Sequence, residues 1–525
     1  MRVAADMKVR PGAQKAISVS LPAPVGGLNA RDSIANMPPT DALILENFFP
    51  NATSVDRRAG NSTYATFTGV CETVIDYTGP TGTKLFVAVN NSGSYRIMEA
   101  TGGGFISSVL VGGSGPTVQA LTSVRFDWIN VGTTGGQFLL LCNGADPMLE
   151  YDGTTWSVGS ITGVTGGTDE IKSVALYNER VWLMAKNTFD VYYLDIGAKS
   201  GAATKLNLGT LFKLGGSLAA MLTVSLDSAS AIADHIGFLS DQGELVVFKG
   251  NPADSTSWAR VSHVRMGRPI TYGVRCWTKI GSDAVVACVD GVMPVSKVIL
   301  TDRADTKYAL SDKIRKLINS AVSLYSTNYG WSLALHRYGR KLFLNIPTTE
   351  GSASFQYVMN TETKAWCKFT NWQANCWLVT QDTVYYGMTG KLVQADTGFR
   401  DNEEANVDDR FIYAYGKQAF NYFGSRGQLK HFKELRVNSI WLTGYTGRIY
   451  MGLNIDFEDT TPTDFLDQLA PSTGSTEVDM VISQWLGATG IGYCAAPYVV
   501  INPVNTLYSY AWVSTDILFE AGGKL

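Results

Sequence analysis

The 525-residue sequence has few charged residues and no long apolar run. Charged side chains make up 17% of it and the formal net charge is −3, against roughly 25% charged residues in an average soluble domain. The longest uninterrupted apolar run extends only from Ala284 to Val289, whereas a membrane-spanning helix needs about 20 apolar residues. These shortages exclude a helical membrane span and a strongly basic nucleic-acid-binding protein. The 45% of hydrophobic residues argues against global disorder.

Cysteine is scarce, and its arrangement indicates free thiols. The seven cysteines are odd in number and no two are spaced as Cys-x-x-Cys, so neither a disulfide framework nor a zinc site is expected. Most of them lie within apolar runs. We expect buried, reduced thiols in a chain that is synthesised in a reducing cytoplasm.

Catalytic motifs are missing as well. The four histidines are at least 28 residues apart, so no His-Glu-x-x-His zinc helix occurs. Neither a Gly-x-x-x-x-Gly-Lys-Ser/Thr phosphate loop nor a Gly-x-Ser-x-Gly turn is present. The sequence therefore predicts that the chain is not an enzyme and has no catalytic residue, cofactor or metal site.

One stretch approaches a motif of sialidase-type propellers. Residues Tyr151 to Trp156 resemble an Asp-box turn, but one residue is missing between Asp152 and Gly153. We interpret the stretch as a tight Asp-Gly hairpin turn that ends on a buried tryptophan. An alternative stays open: a carbohydrate-binding or glycosidase-type β-propeller that acts on a host surface glycan. The 12 tryptophans could form aromatic platforms for a sugar, although tryptophan also fills the cores of propeller blades.

Glycine and aromatic residues are abundant. The 53 glycines and 11% aromatic residues are typical of an all-β fold with many turns. Segments that read as strand, turn and strand begin near residues 84, 137, 179, 234, 283, 340 and 382, about 50 residues apart on average. This period predicts a β-propeller over residues 66–410 with about seven blades, six to eight being possible. A pair of β-sandwiches is the alternative, since its turns also recur regularly.

Two regions fall outside this period. Residues 1–65 have paired prolines and few alternating runs and are predicted to form an extended N-terminal arm, and residues 411–525 are predicted to form a C-terminal β domain. Within the repeat, one amphipathic helix is expected from Asp312 to Val322, with Ser311 as its N-cap.

Charge is unevenly distributed after residue 400. Residues 411–440 contain five basic residues and one acidic residue. An acidic loop precedes this segment, and acidic residues outnumber basic ones after it. Opposed charges of this kind suit head-to-tail contacts in a ring, although an ordinary solvated surface, or a calcium loop at residues 401–409, would also explain them. The candidate interface residues are Lys417, Arg426, Lys430, Lys433, Arg436, Asp401, Glu403, Glu404, Asp408 and Asp409.

Several stretches together resemble a known family of virion proteins. They are PVGGLNARDSIANMPPTDALILENFFPNATSVDRRAGNSTY (Pro24–Tyr64), LSDQGELVVFKGNP (Leu239–Pro252), DGVMPVS (Asp290–Ser296), NTETKAWCKF (Asn360–Phe369) and AFNYFGSRGQLKHFKELR (Ala419–Arg436). They resemble the tail nozzle or tail-tube proteins of short-tailed bacteriophages, which are also described as packaged-DNA stabilisation or tail accessory proteins. No stretch after residue 440 contributes to the resemblance.

This resemblance implies a structural virion protein and no catalytic residues. It implies a propeller-centred subunit, with six copies in a ring around the DNA exit channel, below the portal and adaptor rings. Such a ring retains packaged DNA and conducts it at ejection, without sequence-specific binding to the viral double-stranded DNA. The partners expected are further copies of the chain, the adaptor or portal-side ring, and tail fibres or tailspikes. The location expected is the virion tail, assembled in the host cytoplasm.

Overall fold

The computed structural model describes residues 16–101, 104–111, 119–228, 231–273, 275–301, 306–402, 411–441, 448–458, 466–469, 480–501 and 509–524. The chain forms two compact units. The propeller unit is Ala59–Arg410, and the terminal unit combines Met1–Arg58 with Phe411–Leu525. No helix in these ranges is both long and apolar enough to cross a membrane.

The N-terminal part of the terminal unit consists of short strands. They are β1 (Ala16–Pro22), β2 (Gly27–Leu28), β3 (Asp41–Glu46), β4 (Phe48–Pro50) and β5 (Val55–Arg57), with a 3₁₀ turn at Ile34–Asn36. An extended arm was expected over residues 1–65, and the described residues 16–58 are built into the sheets of the terminal unit. The propeller unit starts a few residues earlier than expected, because its first strand begins at Asn61.

The first half of the propeller unit contains three groups of antiparallel strands and one isolated parallel pair. The first group is β6 (Asn61–Gly79), β7 (Gly82–Asn91), β8 (Ser94–Thr101) and β9 (Gly104–Val111), and the second is β10 (Asp127–Thr133), β11 (Gly136–Cys142), β12 (Leu149–Tyr151) and β13 (Trp156–Val158). The third consists of β15 (Ile171–Tyr177), β16 (Arg180–Ala185), β17 (Asp190–Tyr193) and β19 (Thr204–Asn207), while β14 (Ile161–Thr162) pairs with β18 (Gly201–Ala202). Short 3₁₀ turns lie at Thr168–Glu170 and Gly209–Leu211.

The second half continues the same pattern. Its groups are β20 (Leu218–Ser228), β21 (Ala231–Ser240), β22 (Glu244–Lys249) and β23 (Ala259–Arg265); β24 (Trp277–Ile280), β25 (Asp283–Cys288) and β26 (Gly291–Pro294); and β27 (Ser332–His336), β28 (Lys341–Thr349), β29 (Ala353–Asn360) and β30 (Trp366–Phe369). The helices α1 (Val295–Thr301) and α2 (Arg315–Tyr325) and the 3₁₀ turns Thr306–Tyr308 and Asp312–Ile314 lie between β26 and β27. The last strands are β31 (Cys376–Thr380), β32 (Thr383–Ala395) and β33 (Asp401–Asn402).

The C-terminal strands complete the terminal unit. They are β34 (Ala414–Gln418), β35 (Gln428–Trp441), β36 (Arg448–Ile455), β37 (Leu466–Leu469), β38 (Met480–Ile482), β39 (Leu486–Gly492), β40 (Ala495–Ile501) and β41 (Tyr510–Lys524). Strand β41 pairs with β1 on one side and β35 on the other. Strands from the two ends of the chain therefore share one sheet.

The sheets of the propeller unit pack face to face in chain order. Shared apolar clusters join β7 to β11, β11 to β16, β16 to β21 and β22 to β25. The ring closes because Val87 of β7 shares a cluster with Leu392 of β32, and because β32 pairs with the first half of β6 while β7 pairs with the second half. The prediction of an all-β fold with a β-propeller is confirmed, and the number of blades stays a prediction.

The predicted helix begins three residues later than expected. A 3₁₀ turn occupies Asp312–Ile314, and α2 starts at Arg315. Ser311 does not cap it, because the Ser311 hydroxyl accepts a hydrogen bond from the Val292 backbone N–H at 2.9 Å. The Ser311 side chain thus makes a tertiary hydrogen bond in place of the N-cap hydrogen bond that was expected.

Candidate functional site

The propeller unit has a central cavity of about 550 Å³ that is open to solvent. Its walls come from β6, β10, β24, β27, β31 and the residues that flank them. A smaller cavity of about 30 Å³ is lined by residues of β15, β20 and β24 and of the segment before β24. Most of these are the first strands of their sheets, as expected around the axis of a propeller.

Aromatic side chains are prominent in the wall of this axial cavity. Trp128 and Trp277 are half-buried, and Trp331 and Trp377 are buried. Trp128 is held in place because its Nε1 donates to Asp76 Oδ1 at 3.1 Å. The other oxygen of Asp76 accepts a hydrogen bond from the Thr380 hydroxyl at 3.1 Å, so this carboxylate links three strands of the wall.

An ion pair holds Arg275 in place in the wall of the axial cavity. Arg275 Nε donates to Asp127 Oδ1 at 2.6 Å, and the guanidinium lies over the Trp128 ring at 5.1 Å. The second oxygen of Asp127 accepts hydrogen bonds from the Ser173 hydroxyl at 2.6 Å and the Val174 N–H at 3.1 Å. Because Asp127 is buried and fully engaged, its role is to orient Arg275 and to tie neighbouring sheets together.

The rest of the lining gives the axial cavity a mixed polar character. Lys279 and Arg337 line it and are exposed. Asp76 and Asp382 are the lining residues that carry carboxylates, so an acid–nucleophile pair of the glycosidase kind would have to come from these two. Aromatic faces with a few positioned polar groups are typical of a site for a small polar ligand such as a saccharide.

The predicted basic strip does not form one exposed surface. Lys417 is 3% exposed and lies 5.5 Å from the centre of the Phe420 ring. Lys430 is 1% exposed, and its ammonium donates to the carbonyls of Ser425, Gln428 and Tyr493 at 2.7–2.9 Å. Burial lowers the pKa of Lys430 below its usual range. Both lysines therefore act inside the terminal unit.

The other three basic residues also have partners within the terminal unit. Arg426 donates to the Ala35 carbonyl at 3.1 Å and also to the Asn36 side chain. Lys433 pairs with Glu520 at 3.4 Å. Arg436 pairs with Asp516 at 2.6 Å and lies over the Trp485 ring at 4.6 Å. Of the five, Lys433, Arg436 and Arg426 retain exposed surface that a neighbouring molecule could contact.

The acidic loop is described only at its start. Asp401 is 2% exposed, and its Oδ1 accepts a hydrogen bond from Trp372 Nε1 at 3.2 Å. Glu403, Glu404, Asp408 and Asp409 lie outside the described residues. Within the described ranges, no group of three or more His, Cys, Asp or Glu side chains is placed to hold a metal ion. The calcium alternative for residues 403–409 lies outside those ranges.

No pattern in the sequence predicted the axial cavity. Arg275 and Asp127 are 148 positions apart, and no motif spacing connects them. One signal was available, because a tryptophan stands at or beside the first residue of four inner strands: Trp128, Trp277, Trp331 and Trp377. A tryptophan that recurs at this position in several repeats indicates a shared environment.

Comparisons with known proteins give a likeness of fold and no family. No family model and no curated protein matches the sequence. Among solved structures, the chain is similar to a glycoside hydrolase family 43 arabinoxylan arabinofuranohydrolase from Bacillus subtilis in complex with cellotetraose, at 10% identity over 89% of this chain and 96% of that chain, with a TM-score of 0.25. It is also similar to BBS1N in complex with ARL6DN, at 10% identity over 67% of this chain and 100% of that chain, with a TM-score of 0.36.

One prediction is corrected by these comparisons. The missing motifs led to the prediction that the chain is not an enzyme, and the first of these solved structures is an enzyme whose chain aligns over 89% of this one. The prediction that the chain is not an enzyme is withdrawn. The likeness itself concerns the fold and assigns no activity to this chain.

Proposed function

We propose that this chain is a structural subunit of the tail of a short-tailed bacteriophage, forming a nozzle ring of six copies around the DNA exit channel. The observation that carries the proposal is the make-up of the terminal unit. Two of the stretches that resemble nozzle proteins, residues 24–64 and 419–436, come from opposite ends of the chain. Both contribute strands to this unit.

The contacts between the two stretches are specific. Arg426, from the later stretch, donates a hydrogen bond to the Ala35 carbonyl of the earlier one at 3.1 Å. Next to the later stretch, Gln418 of β34 pairs with Ala42 of β3, which lies within the earlier stretch. Gln418 also donates to the Pro22 carbonyl at 2.6 Å. The two stretches that resemble nozzle proteins therefore lie together in one unit. This supports an architecture shared with those proteins and argues against chance similarity of separate segments.

The ring itself is tested by the mass of the assembled chain. Six copies of 56.9 kDa give about 340 kDa, and we expect this species, with sixfold symmetry in electron micrographs, when the purified full chain is examined at micromolar concentration. Light scattering after size exclusion measures the mass directly. A chain that stays monomeric from nanomolar to high micromolar concentration would contradict the ring.

A second candidate function is saccharide binding in the axial cavity. The observation that favours it is the wall described above, in which two half-buried tryptophans, Trp128 and Trp277, stand beside Arg275. Binding of a host surface glycan is compatible with a tail subunit, because a virion tail contacts the cell surface. A hydrolytic activity would require Asp76 and Asp382 to act on the bound sugar.

Replacing Trp277 by alanine should weaken saccharide binding at least tenfold, which corresponds to about 1.4 kcal/mol, because the ring supplies apolar contact area for a sugar face. The measurement is binding of the full chain to an array of bacterial surface glycans, followed by calorimetry with any oligosaccharide that binds. Tyr308→Ala is the control, since Tyr308 is 39% exposed and does not line the cavity. Equal binding by both variants, or no binding by the unmodified chain, would remove this second candidate.

A further inference from the structure

Two cysteine side chains meet where the propeller unit closes on itself. Cys71 lies on β6 and Cys376 begins β31, and their Sγ atoms are 3.8 Å apart although the residues are 305 positions apart in the sequence. Cys71 is fully buried and Cys376 is 4% exposed. The pair therefore joins the first strand of the unit to one of its last.

The surroundings of the two sulfur atoms leave no side chain between them. Cys376 lies opposite Gly387 on the paired strand β32, and a Cβ atom added at Gly387 would overlap both sulfur atoms. Glycine at this position thus provides the space in which the two thiols touch. The Cys71 thiol donates to the Thr73 carbonyl at 3.4 Å, and the Cys376 thiol lies 3.7 Å from the Cys71 carbonyl.

We propose that Cys71 and Cys376 form an oxidative cross-linking site that closes the propeller covalently. In the reaction the two thiols lose two protons and two electrons, and one S–S bond forms. A low-molecular-weight disulfide such as oxidised glutathione, or a diazene such as diamide, accepts the protons and electrons and is reduced to two thiols or to a hydrazine. The sulfur atoms must approach from 3.8 Å to a disulfide bond length of about 2.05 Å.

The axial cavity offers a route for the oxidant. Cys376 is one of its lining residues, so this thiol is the one that a small molecule reaches first. It would form a mixed disulfide, which Cys71 then resolves. Burial raises the pKa of the Cys71 thiol well above its usual value, and since the thiolate is the attacking species, cross-linking should be slow at neutral pH and faster at alkaline pH.

The consequence of the cross-link concerns opening of the ring. Hydrogen bonds between β32 and β6 hold the closing sheet in place, and β31, which carries Cys376, pairs with β32. A disulfide between β6 and β31 would therefore keep the β31–β32 hairpin attached to β6. A chain made in a reducing cytoplasm would carry free thiols there and acquire the bond only in an oxidising medium. The inference rests on the thiol geometry and not on the tail assignment.

The test is oxidation of the full-length chain by diamide at pH 8.5, followed by alkylation of remaining thiols and non-reducing digestion. Mass spectrometry should detect a linked peptide pair containing Cys71 and Cys376, and the thermal midpoint should rise by several degrees and return after reduction. Cys376→Ala should show neither effect. Cys142→Ala, which removes another buried thiol whose hydrogen bond goes to the Asp127 carbonyl and not to a second thiol, should form the same cross-link as the unmodified chain.

Two outcomes would overturn the inference. One is recovery of Cys71 and Cys376 in the alkylated form after oxidation of the folded chain. The other is a linked peptide that appears only when the chain is oxidised in denaturant, because the pair would then not be in reach in the folded state. Since the unmodified chain alone decides both outcomes, poor folding of a variant does not affect the test.

Discussion

Replacing Lys430 by methionine is expected to destabilise the terminal unit by at least about 3 kcal/mol. The ammonium group of Lys430 is buried and donates to three backbone carbonyls. Methionine has a similar length but no donor, so these acceptors would lose a partner in a place that water does not reach, at about 1–3 kcal/mol for each unsatisfied group. The loss should appear in urea denaturation and as faster hydrogen exchange in residues 428–441.

Lys433→Met is the matched control for this change. Lys433 lies on the same strand, β35, but its ion pair with Glu520 is about one-third exposed at 3.4 Å. Exposed pairs of this kind contribute about 0–1 kcal/mol, so the control should unfold almost like the original chain. Equal losses in the two variants would mean that Lys430 is not a buried structural ammonium, and the basic residues would again be candidates for an interface.

Replacing Asp396 by asparagine is expected to have the largest effect on the propeller unit and to change its pH dependence. The carboxylate of Asp396 is buried, accepts hydrogen bonds from Lys341 Nζ at 2.5 and 2.7 Å, and lies 3.1 Å from His336 Nδ1. The other ring nitrogen of His336 faces the Asp382 carbonyl at 3.1 Å. Asparagine would remove the carboxylate charge that faces the ammonium of Lys341, which is 12% exposed, at a cost of about 3–5 kcal/mol.

The pH dependence follows from the pKa of Asp396. Burial raises this pKa, but the hydrogen bond from His336 and the charge of Lys341 outweigh burial and lower it from 3.8 to about 2. The stabilisation, roughly 2 kcal/mol for a shift of this size, is therefore fully present above about pH 4 and disappears as the pH falls towards 2. In the asparagine variant this component should be missing, so its stability should change less between pH 4 and pH 2.

The control for Asp396 is Glu362→Gln. Glu362 pairs with Arg340 at 2.9 Å, but both side chains are more than half exposed, so the change should cost less than about 1 kcal/mol. Unfolding free energies from urea titrations at several pH values between 2 and 7 measure both effects. Parallel stability curves for the Asp396 variant and the original chain would refute the assignment.

Much of the fold was predictable because its signals are local. The segment that starts at Glu179 was interpreted as strand, turn and strand, and it forms β16 and β17. The two residues before β16, Asn178 and Glu179, adopt positive φ values of 52° and 58°, as a two-residue hairpin requires. The turn at Asp152 was predicted as well. Its carboxylate accepts hydrogen bonds from the Thr154 and Thr155 N–H groups at 2.8 and 2.7 Å, and Trp156 is buried.

The sequence by itself determined the all-β class and the propeller, because alternation and turn residues act within a few positions of each other. It also determined that the cysteines would be buried, since their neighbours are apolar, and all seven are buried and free. Only the tertiary structure decided which residues meet. From the sequence, Lys430 was expected to be a charged residue at a surface. In the structure its ammonium is buried, and one of the carbonyls to which it donates belongs to Tyr493, 63 positions later. The axial cavity and the contact between Cys71 and Cys376 likewise depend on closure of the ring. Pairing between strands that are distant in the chain brings these groups together, and no local pattern records that pairing.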